Sequence, residues 1–157
     1  MTDLEKTNKC LLVGDIGGTN ARFALASPQS TTYQDEQVLQ CADYETPELA
    51  IAGYLKLAEA EQPGAICLAA AGPILHGSVN LTNNNCHIRE SSLRDTFHVD
   101  HVRLLNDFEA LAYSLPVLDA AHCSAIGLLP ANDLAVPDFT LGVVGPGTGL
   151  GAAGLVK

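Results

Sequence analysis

A single carboxylate stands among glycine and small polar residues close to the start of the chain. The segment consists of Gly14, Asp15, Ile16, Gly17, Gly18, Thr19 and Asn20. Its backbone N–H groups, hydroxyl and amide are suited to hydrogen bonding with phosphate oxygens, and Asp15 can hold Mg²⁺ through a water molecule. Asx-Gly-Gly sequences are also common in ordinary hairpin turns. The residue types alone therefore leave a phosphate site and a plain turn both open.

The pair Asn106-Asp107 is the second candidate. It stands between the apolar run Val-Arg-Leu-Leu and the segment Phe-Glu-Ala-Leu-Ala-Tyr. An Asp or Asn at such a place is a common helix N-cap, and that explanation needs no ligand. Ligands of α/β sheets, however, collect at the carboxyl ends of strands. A carboxylate there can accept a proton from a hydroxyl group.

A second glycine-rich tip, formed by Gly147, Thr148 and Gly149, lies near the other end of the sequence. Together with the next three residues it also fits the pattern G-x-G-x-x-A of dinucleotide-binding turns. That alternative requires a long helix and an acidic residue about 20 positions later, and neither follows in the sequence. We therefore favour a second phosphate-binding tip.

The elements that flank the two tips are alike. Cys10–Gly14 and Ala21–Ser27 are predicted to form antiparallel strands on either side of the first tip. Apolar strand, glycine-rich turn with a threonine, and apolar strand recur over residues 139–157. We interpret this as a weak internal repeat. Two such turns can close on one anionic ligand from opposite sides.

The rest of the pattern predicts alternating strands and helices. A third strand is expected over 34–41, followed by a helix that Thr46 caps and Pro47 begins. Further strands are expected over 65–72, 77–83 and 101–107, and helices over 91–97 and 107–115. The first helix is predicted to bury Leu49, Ala52, Leu55 or Tyr54, and Ala58, and the last to bury Phe108, Leu111, Ala112 and Leu115. This order indicates an α/β fold with a mixed sheet and flanking helices.

Composition excludes several classes of function. The 157-residue chain has a formal net charge of −10, which repels nucleic acid and anionic membranes. No apolar run is long enough for a membrane span, and the polar N-terminus is no signal peptide. The five cysteines lack a C-x-x-C spacing. They indicate reduced and mostly buried thiols in a cytoplasmic protein.

Four stretches together resemble the bacterial glucokinases of the sugar kinase, actin and Hsp70 superfamily. They are VGDIGGTNARFAL, AAAGPI followed by VNLTNNN, LLNDFEALAYSLP and GPGTGLGAAGLV, and they occur in the family's order. The resemblance implies a ribonuclease H-like (actin-like ATPase) lobe. It also implies hexokinase-type transfer of a phosphoryl group from ATP, with Mg²⁺, to the 6-hydroxyl of glucose.

The resemblance also implies a role for each motif. Asp107 matches the general base that takes the hydroxyl proton, and Asn106 matches a residue that hydrogen-bonds a sugar hydroxyl. Gly14–Thr19 match the first phosphate loop, with Asp15 near Mg²⁺. The tip at 147–149 matches the second phosphate loop. Catalysis of this kind depends mainly on positioning and charge stabilisation.

Two departures from the family pattern affect the sugar side. Cys86 stands where the family usually has a tryptophan, which bears on local packing or on the wall of the sugar site. The family's Gly-Glu-Gly-Gly-His segment and its adenosine-binding part do not occur in the sequence. We therefore expect residues 1–115 to form the first lobe and 116–157 to form a linker and the first hairpin of a second, truncated lobe. Such a fragment is expected to be inactive alone.

Three alternatives stay open at this stage. The chain can be a non-catalytic, sugar-responsive regulator, although it shows neither a DNA-binding segment nor clustered cysteines. It can be a kinase of another sugar in the same superfamily. Another chain can also complete the second hairpin, whose apolar strands invite pairing. We expect self-association, or disorder, around residues 139–157.

Overall fold

A five-stranded mixed sheet forms the centre of the first part of the chain. The computed structural model describes residues 9–81, 86–118, 120–127, 138, 140–146 and 150–156. The strands are β1 (Leu11–Ile16), β2 (Asn20–Ala26), β3 (Tyr33–Gln40), β4 (Ala65–Ala70) and β7 (His101–Asn106), in the order β3-β2-β1-β4-β7. Strands β1, β4 and β7 are parallel, whereas β2 runs antiparallel to both of its neighbours, β1 and β3. The predicted mixed sheet is confirmed.

The chain divides into two compact units, Met1–Asp107 and Phe108–Lys157. The first contains the large sheet, the helices α1 (Pro47–Leu57) and α2 (Glu90–Phe97), and a small sheet of β5 (Ser78–Asn80) and β6 (His87–Arg89). Helix α3 (Asp107–Ser114) begins at the boundary, and the second unit contains the hairpin of β8 (Thr140–Pro146) and β9 (Leu150–Val156). The predicted lobe boundary after residue 115 stays a prediction.

Helix α1 begins as the sequence predicts but presents a different face to the core. The Thr46 side chain accepts a hydrogen bond from the Leu49 N–H at 3.3 Å, and Pro47 occupies the first turn. The residues that α1 buries are Pro47, Ala50, Ile51, Tyr54 and Leu55. The predicted inward positions Leu49 and Ala52 are exposed. Both sets have helical spacing, and the buried set includes the large side chains of Ile51 and Tyr54, so burying it removes more apolar surface from water.

The core lies between the large sheet and helices α1 and α2. Its largest fully buried side chains include Phe23, Tyr54, Leu12, Ile66 and Leu104. The rings of Phe23 and Tyr54 are 5.5 Å apart between centroids, in a tilted arrangement, which is favourable for aromatic pairs. The Tyr54 hydroxyl donates a hydrogen bond to the Asp35 carbonyl at 3.1 Å, so this buried ring keeps a partner for its polar end.

Strand β1 extends further than the sequence predicts. The expected strand ends at Gly14, but β1 continues to Ile16, and Asp15 pairs with Arg22 across the ladder. Gly14 therefore lies inside the strand. A Cβ there would lie 2.7 Å from Phe23 Cδ1 and 2.9 Å from the Arg22 carbonyl oxygen. The glycine allows this close approach of β2 rather than forming part of the turn.

The segment between β4 and β7 is held by Glu90. Its carboxylate accepts a hydrogen bond from the Leu104 N–H at 2.9 Å and lies 3.8 Å from the Arg94 guanidinium. The predicted helix over 91–97 is confirmed as α2, beginning one residue earlier. Strand β6 was not predicted, because a three-residue strand gives too short a pattern to recognise in sequence. The expected strand over 77–83 is β5.

Helix α3 forms as predicted but buries little. Only Ala112 of its residues is buried, while Leu111 is 48% exposed and Phe108 is half-buried. The predicted inward placement of Leu111 is therefore wrong. The five cysteines are reduced thiols: four are half-buried and Cys123 is exposed. They are thus less buried than expected. Within the described residues, no helix is both long and apolar enough to cross a bilayer.

Candidate functional site

The carboxyl ends of three parallel strands bring two of the predicted motifs to one edge of the sheet. Ile16 of β1 lies beside Ala70 of β4, and Ala70 lies beside Asn106 of β7. Asp15 therefore stands one residue before this row, and Asp107 one residue after it. Because strands are about 4.8 Å apart, β1 and β7 are separated by roughly 10 Å. Ligands of α/β sheets bind at this edge.

Asp15 and Asp107 interact electrostatically across the edge. The side chain of Asp15 is exposed, but partial desolvation by nearby protein atoms still raises the pKa of Asp15 above its usual value. The positive charge of Arg22 opposes this rise, and the negative charge of Asp107 adds to it. The two carboxylates are thus close enough to repel each other. A proton or a divalent cation near them would relieve that repulsion.

The turn of the first tip is shorter than predicted. Only Gly17, Gly18 and Thr19 lie between β1 and β2. The Gly17 N–H donates to the Asn20 carbonyl at 2.9 Å and closes the turn. Asn20 begins β2, and its side-chain oxygen accepts a hydrogen bond from Gln40 Nε2 at 2.8 Å. Because the Gly17 N–H already donates a hydrogen bond within the turn, hydrogen bonds to a phosphate would have to come from other groups of the tip.

Cys41 supports the first tip from the side, which the sequence did not indicate. Its N–H donates to the Thr19 carbonyl at 2.8 Å, and its thiol donates to the Gly17 carbonyl at 3.6 Å. Both hydrogen bonds reach across 20 or more residues of sequence, so no local pattern could reveal them. Together they hold two of the three turn residues.

A cavity of about 420 Å³ adjoins the same tip. Its lining includes Gly18, Thr19, Cys41, Thr46 and Cys86. Desolvation raises the pKa of the Cys86 thiol, and the nearby Cys41 and Glu48 add to that rise. The departure at Cys86 thus falls beside the first tip and in a partly desolvated environment. The half-buried side chain contributes to a cavity wall.

Asn106 makes a tertiary contact at the end of β7. Its side-chain amide nitrogen donates a hydrogen bond to the Gly72 carbonyl at 3.0 Å. Gly72 has φ of 147°, and a Cβ there would lie 3.3 Å from Val79 Cγ2. The amide therefore ties the end of β7 to the loop that follows β4. Asp107 is the first residue of α3. A helix that starts at this pair fits the N-cap interpretation, and the catalytic role of Asp107 stays a prediction.

The second glycine-rich tip is described only through the strands that flank it. Gly147, Thr148 and Gly149 lie outside the described residues, so their predicted role stays a prediction. The strands that lead into and out of the tip are described, and they pair in register from Pro146 and Leu150 downwards. The predicted hairpin of β8 and β9 is therefore confirmed.

The donors at the edge fit a water-mediated magnesium ion rather than a protein-made metal cage. Within the part of the chain that the structure describes, no three His, Cys, Asp or Glu side chains cluster as metal ligands. Mg²⁺ commonly binds one or two carboxylates together with substrate phosphates and several waters. Asp15, exposed at the strand edge beside a glycine turn, satisfies that requirement.

Comparison with known proteins assigns most of the chain to one protein family. Residues 12–157 match the family model described as Glucokinase. A glucokinase of Caulobacter sp. (strain K31) is 43% identical over 154 residues, which cover 93% of this chain and 44% of that protein. The chain thus spans less than half the length of the curated relatives it matches.

Solved structures agree with the sequence match. A glucokinase from an Antarctic psychrotroph superposes with a TM-score of 0.83 at 36% identity, covering 96% of this chain and 47% of that one. A glucokinase from Balamuthia mandrillaris, solved in complex with glucose, gives a TM-score of 0.60 at 26% identity, covering 94% and 44%. The ribonuclease H-like topology of the large sheet is shared with these neighbours.

Proposed function

The chain belongs to the glucokinase family, and we propose that it supplies the phosphate-binding edge and the general base for transfer of a phosphoryl group from ATP to the 6-hydroxyl of glucose. The observation that carries this proposal is the shared position of Asp15 and Asp107, which lie at the carboxyl ends of the parallel strands β1 and β7. It brings together one group suited to a metal–phosphate complex and one suited to a hydroxyl.

Asp107 is the group that we assign to proton transfer. It follows β7 directly and begins α3, so its position is fixed by two elements. As the sugar oxygen attacks the γ-phosphoryl group, the carboxylate accepts the hydroxyl proton while the bond to the leaving phosphate oxygen breaks. General-base help of this kind contributes about 10²–10⁴-fold.

Asn106 and the first tip take the binding roles. In this proposal the Asn106 side chain hydrogen-bonds a sugar hydroxyl, and its amide contact with the Gly72 carbonyl fixes its orientation. Gly18, Thr19 and Asn20 bind phosphate oxygens of ATP, and Gly147, Thr148 and Gly149 bind them from the second tip. Asp15 would hold Mg²⁺ through water, and the bound ion would neutralise phosphate charge.

The cellular setting and assembly state are part of the same proposal. Five reduced cysteines suit the reducing cytoplasm, where a glucose kinase acts at the entry to glycolysis. The outer face of the second hairpin exposes Val144, Leu150 and Val156, which supports self-association through that face. The negative net charge supports a role without nucleic acid or membrane partners.

The test is Asp107→Asn in a polypeptide that supplies the rest of the family's length. We expect kcat for glucose phosphorylation to fall about 10²–10⁴-fold, with the KM for ATP nearly unchanged, because the amide cannot accept the proton but occupies the same space. Steady-state kinetics with a coupled assay measures both. The matched control is Asp100→Asn, which removes the same charge from an exposed residue at the opposite end of β7. Wild-type kcat in Asp107→Asn would refute the assignment of the base.

A further inference from the structure

The inner face of the second hairpin becomes narrower toward its tip. The residues on this half-buried face of β8 and β9 pair as Leu141 with Leu155, Val143 with Ala153, and Gly145 with Gly151. Side-chain volume thus falls from two leucines to none over five residues of β8. The glycine pair leaves a notch at the strand ends from which the tip departs.

The ring of Phe108 occupies this notch. A Cβ added to Gly145 would lie 2.7 Å from Phe108 Cζ and 2.9 Å from Cε1. A Cβ added to Gly151 would overlap the ring at three of its carbons. Real Cβ atoms do not approach other atoms so closely, so neither position can carry a side chain while the ring stays in place. The two glycines and the phenylalanine therefore form one packing unit within the second part of the chain.

The outer face of the same hairpin provides a contrast. Gly142 and Gly154 also pair across the strands, but among the described residues a Cβ at Gly142 would meet nothing within 4 Å, and one at Gly154 would meet the Leu141 carbonyl oxygen at 3.7 Å. Glycine is therefore required by packing on the inner face and tolerated on the outer face. The notch is specific to the pair beside the tip.

We propose that Phe108 is a positioning residue: its ring, seated in the notch between Gly145 and Gly151, fixes the strand ends that carry the second tip against the first turn of α3. Phe108 directly follows Asp107, which begins that helix. The ring therefore ties the ends of β8 and β9 at Gly145 and Gly151 to the first turn of α3. This inference rests on the proposed function for its catalytic consequence, but not for the contact itself.

The experiment is a double-mutant cycle with Gly151→Ala and Phe108→Leu in the full-length polypeptide. Gly151→Ala alone is expected to displace the ring, to lower Tm and to reduce kcat about 10- to 100-fold, since small misplacements of catalytic groups have effects of this size. With Phe108→Leu already present, the added methyl group has room. The further loss in kcat is then expected to be less than about threefold, with little further change in Tm. Gly142→Ala is the matched control and is expected to leave kcat and Tm unchanged.

The outcomes separate the contact from its role and from the proposed function. Effects of the two substitutions on Tm that simply add would overturn the notch, whatever the enzyme does. A non-additive Tm with wild-type kcat and KM for ATP in the folded Gly151→Ala variant would overturn the positioning role and leave a purely structural contact. If the wild-type protein did not phosphorylate glucose, the proposed function would fail, and the Tm cycle would still decide on the contact.

Discussion

The two hairpins have similar sequence patterns and very different surroundings. Each joins two antiparallel strands through a tip of three residues containing two glycines and a threonine. The first, β1–β2, lies inside a five-stranded sheet, with β3 and β4 on either side. The second, β8–β9, forms a two-stranded sheet by itself. The local sequence pattern of a hairpin therefore does not determine whether its strands become part of a larger sheet.

The glycines show what this difference means for packing. Gly14 is enclosed by atoms of the core, namely the Phe23 ring, the Arg22 backbone and the Leu68 side chain. Among the described residues, the atoms nearest to a Cβ at Gly145 or Gly151 belong to the ring of Phe108. In the first hairpin the nearest atoms belong to the large sheet and the core, whereas at the inner glycines of the second hairpin the nearest described atoms belong to the side chain of Phe108. The close approach in the first hairpin thus involves the core, and the one in the second hairpin involves Phe108.

Gly14→Ala is expected to have the largest effect on stability. The added methyl group would lie 2.7 Å from Phe23 Cδ1, 2.9 Å from the Arg22 carbonyl oxygen and 3.0 Å from Leu68 Cδ2. Neither the backbone oxygen nor the buried ring can move freely. We expect a loss of about 2–3 kcal/mol in the free energy of unfolding, typical of overpacking in a core, measured by chemical denaturation.

The matched substitution in the second hairpin is Gly142→Ala, where the methyl group meets no atom of the described residues within 4 Å. It is expected to be neutral or to stabilise slightly, because alanine loses less backbone entropy than glycine on folding. Equal losses from both substitutions would mean that the contrast between the two hairpins is wrong.

The exposed apolar residues on the outer face of the second hairpin predict a smaller effect, which concerns self-association of the chain. Val144 is 66% exposed and Leu150 is 75% exposed on the second hairpin, and an unpaired apolar strand favours contact with another chain. Val144→Thr combined with Leu150→Thr is expected to weaken self-association of the chain about tenfold, or ~1.4 kcal/mol. Sedimentation equilibrium measures the change in dissociation constant.

Val38→Thr is the control for that measurement. Val38 is 49% exposed on β3, the edge strand of the large sheet, where most neighbouring side chains are polar or charged. The control is expected to leave association unchanged. A wild-type chain that stays monomeric at high concentration would contradict association through the second hairpin.

The sequence predicts which strands and helices form better than it predicts where they end and which face they bury. Turn residues, apolar runs and the Thr46-Pro47 start of α1 are local signals, so the order of strands and helices followed from them except for the short strand β6. The end of β1 did not, because Gly14 resembles a turn residue until the approach of Phe23 is known. The buried face of α1 did not either, because two overlapping sets of apolar residues have the same spacing.

The candidate site was predictable where its residues form motifs and not where they meet. Asp15 and Asn106-Asp107 were found from residue types and from their place after apolar runs. Their common edge depends on the parallel register of β1, β4 and β7, which is a long-range property. The support from Cys41 and the amide contact with Gly72 also join residues far apart in sequence. Only the folded backbone brings these groups together.

Asp15→Asn is expected to have the smallest effect on stability and tests the one charge that distinguishes the first tip from the second. Desolvation and the negative charge of Asp107 raise the pKa of Asp15. A carboxyl with a raised pKa in the folded state destabilises the fold above that pKa, and the penalty disappears as pH falls through it toward the unfolded-state value. The amide removes the penalty, so the variant should be more stable at pH 7 by less than about 1 kcal/mol, the usual size for exposed charges.

The pH dependence and the activity make this prediction specific. The gain of Asp15→Asn over wild type should vanish in acid, where Asp15 is already protonated, and denaturation curves at pH 7 and pH 3 measure it. Asp100→Asn, at an exposed residue away from the tip, should show no such gain. If Asp15 also holds Mg²⁺, the stabilised variant should phosphorylate glucose more slowly in the full-length polypeptide. The gain in stability and the loss of rate then have one cause: the first tip keeps an unfavourable negative charge because the metal–phosphate complex requires it.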